Sequence, residues 1–357
     1  MRNKDNIKEL LDYFKNSEDN PLEFDEEAII TAYQKYDGNQ SLAIKILSVF
    51  GRILASLAFL GFLAIAGLYN SEIVLIVFGG IFITGSIWIN KEYDKIIMDT
   101  VSVSFFIIGF ILLGFGCGQI KTNENIISFI FIIIALGSLS IVQSYILSFV
   151  SVLIINGSIL TLIISNNVYD LIHIYVSVLA LTITYFFLKE ATIITTNRAL
   201  SKLYNPVRTG LIFSFLTGLV FLGKKGILPV SPDYIWLCSV IIISAIVYLI
   251  SVLFDVLNIT KTRHKISIYI FTVLTLLPTT LSSAISGAIL IILLSFLINY
   301  KTCLVIGIIS FIYFISQYYY DLNFTLLNKS ILLLSTGVLF IALYMFTHKK
   351  LTANEKV

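Results

Sequence analysis

Asp170 and His173 are the one acid–histidine pair in this sequence whose spacing suits proton chemistry. Three residues apart, they share a face wherever the segment is helical. A carboxylate beside an imidazole can then make a proton-sensitive site. The plainer role is an acid at the positive end of a helix dipole, next to an interfacial histidine. Asn156 is the strong hydrogen-bonding side chain nearest the middle of its apolar run, where it either contacts a substrate or ties two helices together. Arg52 and Asp255 fall at similar depth near the ends of two other runs, close enough to pair, or to remain independent interfacial residues with Arg52 reaching to the surface. These five residues are the candidate substrate contacts.

Other chemistries lack their signatures. There is no Gly-rich phosphate loop, no HExxH and no GxSxG. His173, His264 and His348 are too scattered for a metal cluster, and Cys117, Cys238 and Cys303 have no CxxC spacing and read as small buried hydrophobes. No polar segment exceeds about 45 residues, below the roughly 50 that an independent soluble domain needs. Neither a metal, nor a cofactor, nor a nucleic-acid partner is expected.

The elements that must position the candidates are apolar. Of 357 residues, 57% are hydrophobic and 13% charged, with a mean hydropathy of +0.94. A soluble surface cannot be built from so little polar material, so most side chains must face lipid or one another. The fold class expected is an all-α, polytopic membrane bundle of about twelve helices. The spans are Ile46–Tyr69, Ile73–Ile89, Val101–Ile120, Ile126–Val142, Ile146–Ile164, Leu171–Leu188, Leu203–Leu222, Tyr234–Leu253, Ile266–Leu281, Ala284–Leu297, Cys303–Tyr318 and Ile331–Phe346. The ninth and tenth are short around Pro278, and fit either two tilted helices or a re-entrant hairpin buried in protein.

Before the spans lies an acidic segment, residues 1–45, with ten of the 21 acidic residues. Ile7, Leu10, Leu11 and Phe14 would share one helix face, and Ile29, Ile30, Ala32 and Tyr33 favour a second helix. The bundle itself covers 46–346, with a reading as two six-helix halves, 46–188 and 203–346, joined by 189–202, and a tail at 347–357. With the N-terminus inside, 20 of the 24 lysines and arginines fall on the inner side, and only Lys121, Lys224, Lys225 and Lys329 fall outside. That asymmetry places both termini in the cytoplasm. Glycines crowd three spans, at Gly61 and Gly67, at Gly79, Gly80 and Gly85, and at Gly109, Gly114, Gly116 and Gly118, where they would let backbones approach closely.

GRILASLAFLGFLAIAGLY (Gly51–Tyr69) follows the acidic segment, and the tail YYYDLNFTLLNKSILLLSTGVLFIALYMF (Tyr318–Phe346) runs into Lys349-Lys350. With the Pro278 hairpin, these stretches resemble the bacterial multi-pass membrane family catalogued as domain of unknown function 4401. The resemblance implies an inner-membrane protein with no accepted catalytic residues to carry over. It also implies a partner, a small membrane-anchored protein with a Gly-Asp-Tyr motif.

Three function classes follow. A scaffold or assembly partner for another envelope protein is favoured by the acidic segment, the implied partner and the lack of a clear site. A transporter or flippase of an apolar or lipid-linked substrate is the alternative, suggested by the six-and-six layout. An intramembrane enzyme on a lipid-linked substrate ranks third.

Overall fold

The computed structural model describes residues 71–321, except 93–95, 225 and 257–260, with single positions to either side. The segment 1–45, Arg52 and the tail 347–357 lie outside the described residues, as do most of the first and twelfth predicted spans. The chain divides into two compact units, Met1–Gly61 and Phe62–Val357. In the first, the described positions Gly51, Leu54, Ala58, Phe59 and Gly61 are helical. All helices named below belong to the second.

That unit is built from helices alone among the described residues. In chain order they are α1 (Glu72–Glu92), α2 (Ile96–Gln119), α3 (Glu124–Ile141), α4 (Tyr145–Ser165), α5 (Leu171–Leu188), α6 (Glu190–Thr196), α7 (Arg198–Gly223), α8 (Ile235–Val256), α9 (Thr262–Leu276), α10 (Ser283–Leu297) and α11 (Lys301–Asp321). Single 3-10 turns, Pro232–Tyr234 and Leu277–Leu281, precede α8 and follow α9. Ten of the twelve predicted spans are thus helices where they were expected. Nine of the described helices are long and apolar enough to cross a bilayer, and Ser283–Leu297 is a shorter apolar helix.

Small polar residues are buried beside the apolar core, and many large apolar ones are exposed. Ser86, Ser102, Ser138, Ser151, Ser177 and Ser239 are buried, whereas Trp88, Phe129, Ile133, Val178 and Leu274 are exposed. Large apolar groups gain nothing by leaving a hydrocarbon solvent, so small residues take the contacts where backbones come close. The hydroxyls stay satisfied by the preceding turn, as where Ser151 donates to Leu147 O at 2.9 Å and Ser177 to His173 O at 2.7 Å. Others bridge helices, Ser86 to Ser102 at 3.2 Å and Ser138 to Ser151 at 2.9 Å.

Neighbours alternate in direction. On α1 and α2, Gly79 faces Gly109, Ser86 faces Ser102 and Asn90 faces Asp99, an antiparallel pairing. Two cores result. One joins α1–α3 with Leu147 of α4; the other holds Val152, Leu160 and Ile163 of α4 with α5, α7, α8, α10 and α11. The helix α4 therefore belongs to both.

The ninth and tenth spans differ sharply. Within α9 only Leu276 is buried, while α10 buries nine of its fifteen residues. A re-entrant hairpin would need protein around it on every side; α9 instead exposes Ile266, Ile270, Val273 and Leu274. Pro278 sits in the first turn of the 3-10 segment, where a missing N–H costs no hydrogen bond.

Candidate functional site

Three helices stop on the same device. Lys121, Asn167 and Asn299 adopt left-handed φ of 57°, 57° and 56°. Beyond each, the next amide bonds back five residues: Thr122 to Cys117 O, Val168 to Ile163 O and Tyr300 to Ser295 O. This is the Schellman stop, which satisfies carbonyls the helix end would leave open. After α4 it delivers the chain to Asp170. After α10 it turns Tyr300 back onto α7, where it meets Arg208.

Arg208 is the only Lys, Arg, Asp or Glu buried among the described residues. Fifteen residues of helix separate it from Gly223 at the end of α7. That is a rise of about 22 Å, within the ~30 Å hydrocarbon thickness of a bilayer. Its Nη1 donates to Glu190 Oε1 at 3.1 Å, and Nη2 donates to Asn205 Oδ1 at 2.9 Å. The guanidinium lies over three rings, 4.2 Å from the Tyr300 centroid, 4.9 Å from Tyr204 and 5.4 Å from Phe187. Tyr204 is held in turn, donating to Phe186 O at 3.0 Å and stacking on the Phe186 ring. Two features leave this cage incomplete. Arg208 Nε is buried with no partner, and Glu190 keeps 26% of its side-chain exposure against 6% for Arg208.

Glu190 opens the seven-residue helix α6, directly after α5 ends. A carboxylate in a first helical turn is favoured by the dipole. The α6 link is therefore tied to the bundle by an ion pair whose cationic half is desolvated. On the next residue back, Lys189, a groove of about 400 Å³ opens between α5 and α8, walled by Leu181, Tyr185, Leu188, Ile241 and Tyr248.

The predicted candidates fall at other places. Asp170 accepts the Ser231 amide at 2.9 Å, tying the α7–α8 loop to the start of α5. His173, one turn deeper, is buried, and both ring nitrogens lack a hydrogen-bond partner. The structure brings these two together on one cavity of about 620 Å³. Asn156 accepts the Tyr175 hydroxyl at 3.2 Å and donates to Val152 O at 2.9 Å, a link between α4 and α5. Asp255 is exposed near the end of α8. Its suggested partner Arg52 lies outside the described residues. Cys117, Cys238 and Cys303 are buried and free, the first in one core and the other two in the second.

Sequence reasoning did not mark Arg208 as a site residue; it read it as one of the inner-side basic residues, leading into the first helix of the second half as Arg52 leads into that of the first. A signal was present: Tyr204 and Arg208 are four apart on the face of α7 that continues into the apolar Leu211 and Phe215. Predicting α7 to begin at Leu203 hid it, because Asn197 caps a helix five residues earlier by accepting the Ala199 amide at 3.1 Å.

Apolar helices of spanning length, with many large apolar side chains outward and small polar ones buried among the apolar core, define a multi-pass α-helical membrane protein. Residues 41–350 match the family described as Domain of unknown function (DUF4401), and the chain belongs to it. Searches of curated proteins and of solved structures return no match.

Proposed function

We propose that the chain is a transporter or flippase of a lipid-linked or other apolar-tailed anionic substrate. Arg208 is the headgroup contact in this reading, and Glu190 is the carboxylate that the substrate displaces. The observation that supports it is the buried guanidinium with one N–H unsatisfied and a single, partly exposed carboxylate opposite. An ionised group at hydrocarbon depth is costly, and such residues mark substrate pathways more often than they stabilise folds. An anionic headgroup would complete the Nε hydrogen bond, release α6, and leave its tail to the neighbouring apolar groove. The test is headgroup exchange in proteoliposomes with fluorescent phosphatidylglycerol as probe. Protein-dependent translocation is expected, reduced at least tenfold by Arg208→Met; a rate equal to that of protein-free vesicles would refute the reading.

The assembly role keeps a basis of its own in α9, whose apolar side chains point almost entirely away from the bundle and would suit a partner helix. The small membrane-anchored protein implied by the family resemblance is the partner proposed for it.

We infer further that the protein sits in a bacterial inner membrane, spans it about twelve times and keeps both termini in the cytoplasm. Charge supports this orientation. Lys91, Lys189, Arg198, Lys202, Lys261, Arg263, Lys265 and Lys301 lie at the end of the bundle that holds Arg208. Among the described residues only Lys121 and Lys224 lie at the other. Single cysteines introduced as Thr122→Cys and Thr302→Cys should differ in intact cells, with only the first labelled by a membrane-impermeant maleimide. Labelling of the second alone would invert the topology.

A further inference from the structure

The cavity at the start of α5 has a composition that selects for charge. Its lining includes Asp170 and His173 together with the phenols of Tyr169 and Tyr234, and no lysine or arginine among the described residues. A second acid, Asp233, is exposed one residue from Tyr234. Asn167 is the other polar residue of the lining, and the rest is apolar, among them Ile174, Pro229 and Leu237. At about 620 Å³ the volume lies within the range of small-molecule sites.

His173 is the feature that packing does not account for. It is 1% exposed, and neither ring nitrogen completes a hydrogen bond, although the Ser231 backbone lies beside the ring. Buried polar atoms are almost always satisfied, so an exception on a cavity wall points to a missing ligand group. Asp170 keeps acceptor capacity as well, since only one of its oxygens is bonded to the Ser231 amide.

We propose that this cavity binds a small organic cation, a protonated amine carrying an apolar body. The ammonium sits against Asp170 and donates one N–H to the unprotonated nitrogen of His173. The tyrosine faces and aliphatic walls take the body, as aromatic surfaces do for cations. The site lies at the opposite end of the bundle from Arg208 and does not depend on the transport reading.

The experiment is equilibrium dialysis of radiolabelled benzylammonium against the full-length chain in lipid nanodiscs, with empty discs subtracted. Benzyl alcohol and benzoate, which share the ring but not the charge, serve as competitors. Saturable binding is expected, weakened at least tenfold by Asp170→Asn and by His173→Leu, with both competitors at least tenfold poorer than unlabelled benzylammonium. The Asp170→Asn variant keeps an oxygen to accept the Ser231 amide, so it decides the matter if His173→Leu does not fold. Binding no greater than in empty discs, binding unchanged by Asp170→Asn, or benzoate competing as well as benzylammonium would overturn the proposal.

Discussion

Glu190→Ala is expected to destabilise the bundle by about 3 kcal/mol, far more than removal of a surface carboxylate. The reason is an asymmetry in buried ion pairs. Deleting one partner leaves the other charge desolvated and uncompensated, typically at a cost of about 3–5 kcal/mol. The position of Arg208 beneath Tyr300, Tyr204 and Phe187 leaves its guanidinium little water. The lower figure applies because Glu190 itself keeps a quarter of its exposure. The double substitution Glu190→Leu with Arg208→Met should return within about 1 kcal/mol of the parent, since a hydrophobic pair of similar volume avoids both desolvation penalties. Reversible unfolding in mixed micelles gives the four corners of the cycle. A Glu190→Ala cost below about 0.5 kcal/mol, the level of an exposed ion pair, would show that Arg208 is solvated.

Gly109→Leu should be nearly as damaging, through sterics alone. A Cβ there would lie 2.6 Å from Ile83 Cγ1 and 2.9 Å from both Gly79 O and Ile83 N. Two of those atoms are backbone, so relief requires α1 and α2 to separate along a contact that also includes Gly79 and Gly116. Overpacking of a close-packed contact costs about 1–3 kcal/mol, and the upper end is expected where helices rather than side chains must move. Gly80→Ala and Gly85→Ala are the controls, because nothing lies within 4 Å of a Cβ at either. Their thermal midpoints should match or slightly exceed the parent's, as alanine suits a helix interior better than glycine. A midpoint for Gly109→Leu within a degree of the controls would mean that α1 and α2 do not meet as described.

That contrast also marks where reading glycine from sequence stopped. Crowding of Gly79, Gly80, Gly85, Gly109, Gly114, Gly116 and Gly118 implied close helices. Of these, Gly79, Gly109 and Gly116 make the contact, while Gly80, Gly85 and Gly118 meet nothing. A helix that is apolar on all sides carries no hydrophobic stripe to say which face turns inward. Around Pro278 a contrast was present but unread. Ser283, Ala284, Ser286, Gly287 and Ala288 of α10 are small where α9 carries large side chains, and packing puts α9 at the edge and α10 in the core. For Asp170 and His173 the sequence placed both on one helix face, because helical spacing is a local property. Their shared cavity depends on Pro229, Tyr234 and Leu237 from a loop and helix some sixty residues away.

What the amino-acid order determined by itself was the class and the positions of ten helices, nine of them long and apolar enough to cross a bilayer. Leu171–Leu188 was placed to the residue, because hydrocarbon solvent imposes a length and an apolarity that each segment must meet alone. Tertiary structure alone decided the interior. Which serines are buried, that α4 serves two cores, and that Arg208 lies under three rings with Glu190 opposite all depend on contacts between distant segments. Transfer from water to lipid is indifferent to such contacts. They are set by close packing and by the need to satisfy polar groups once water is gone.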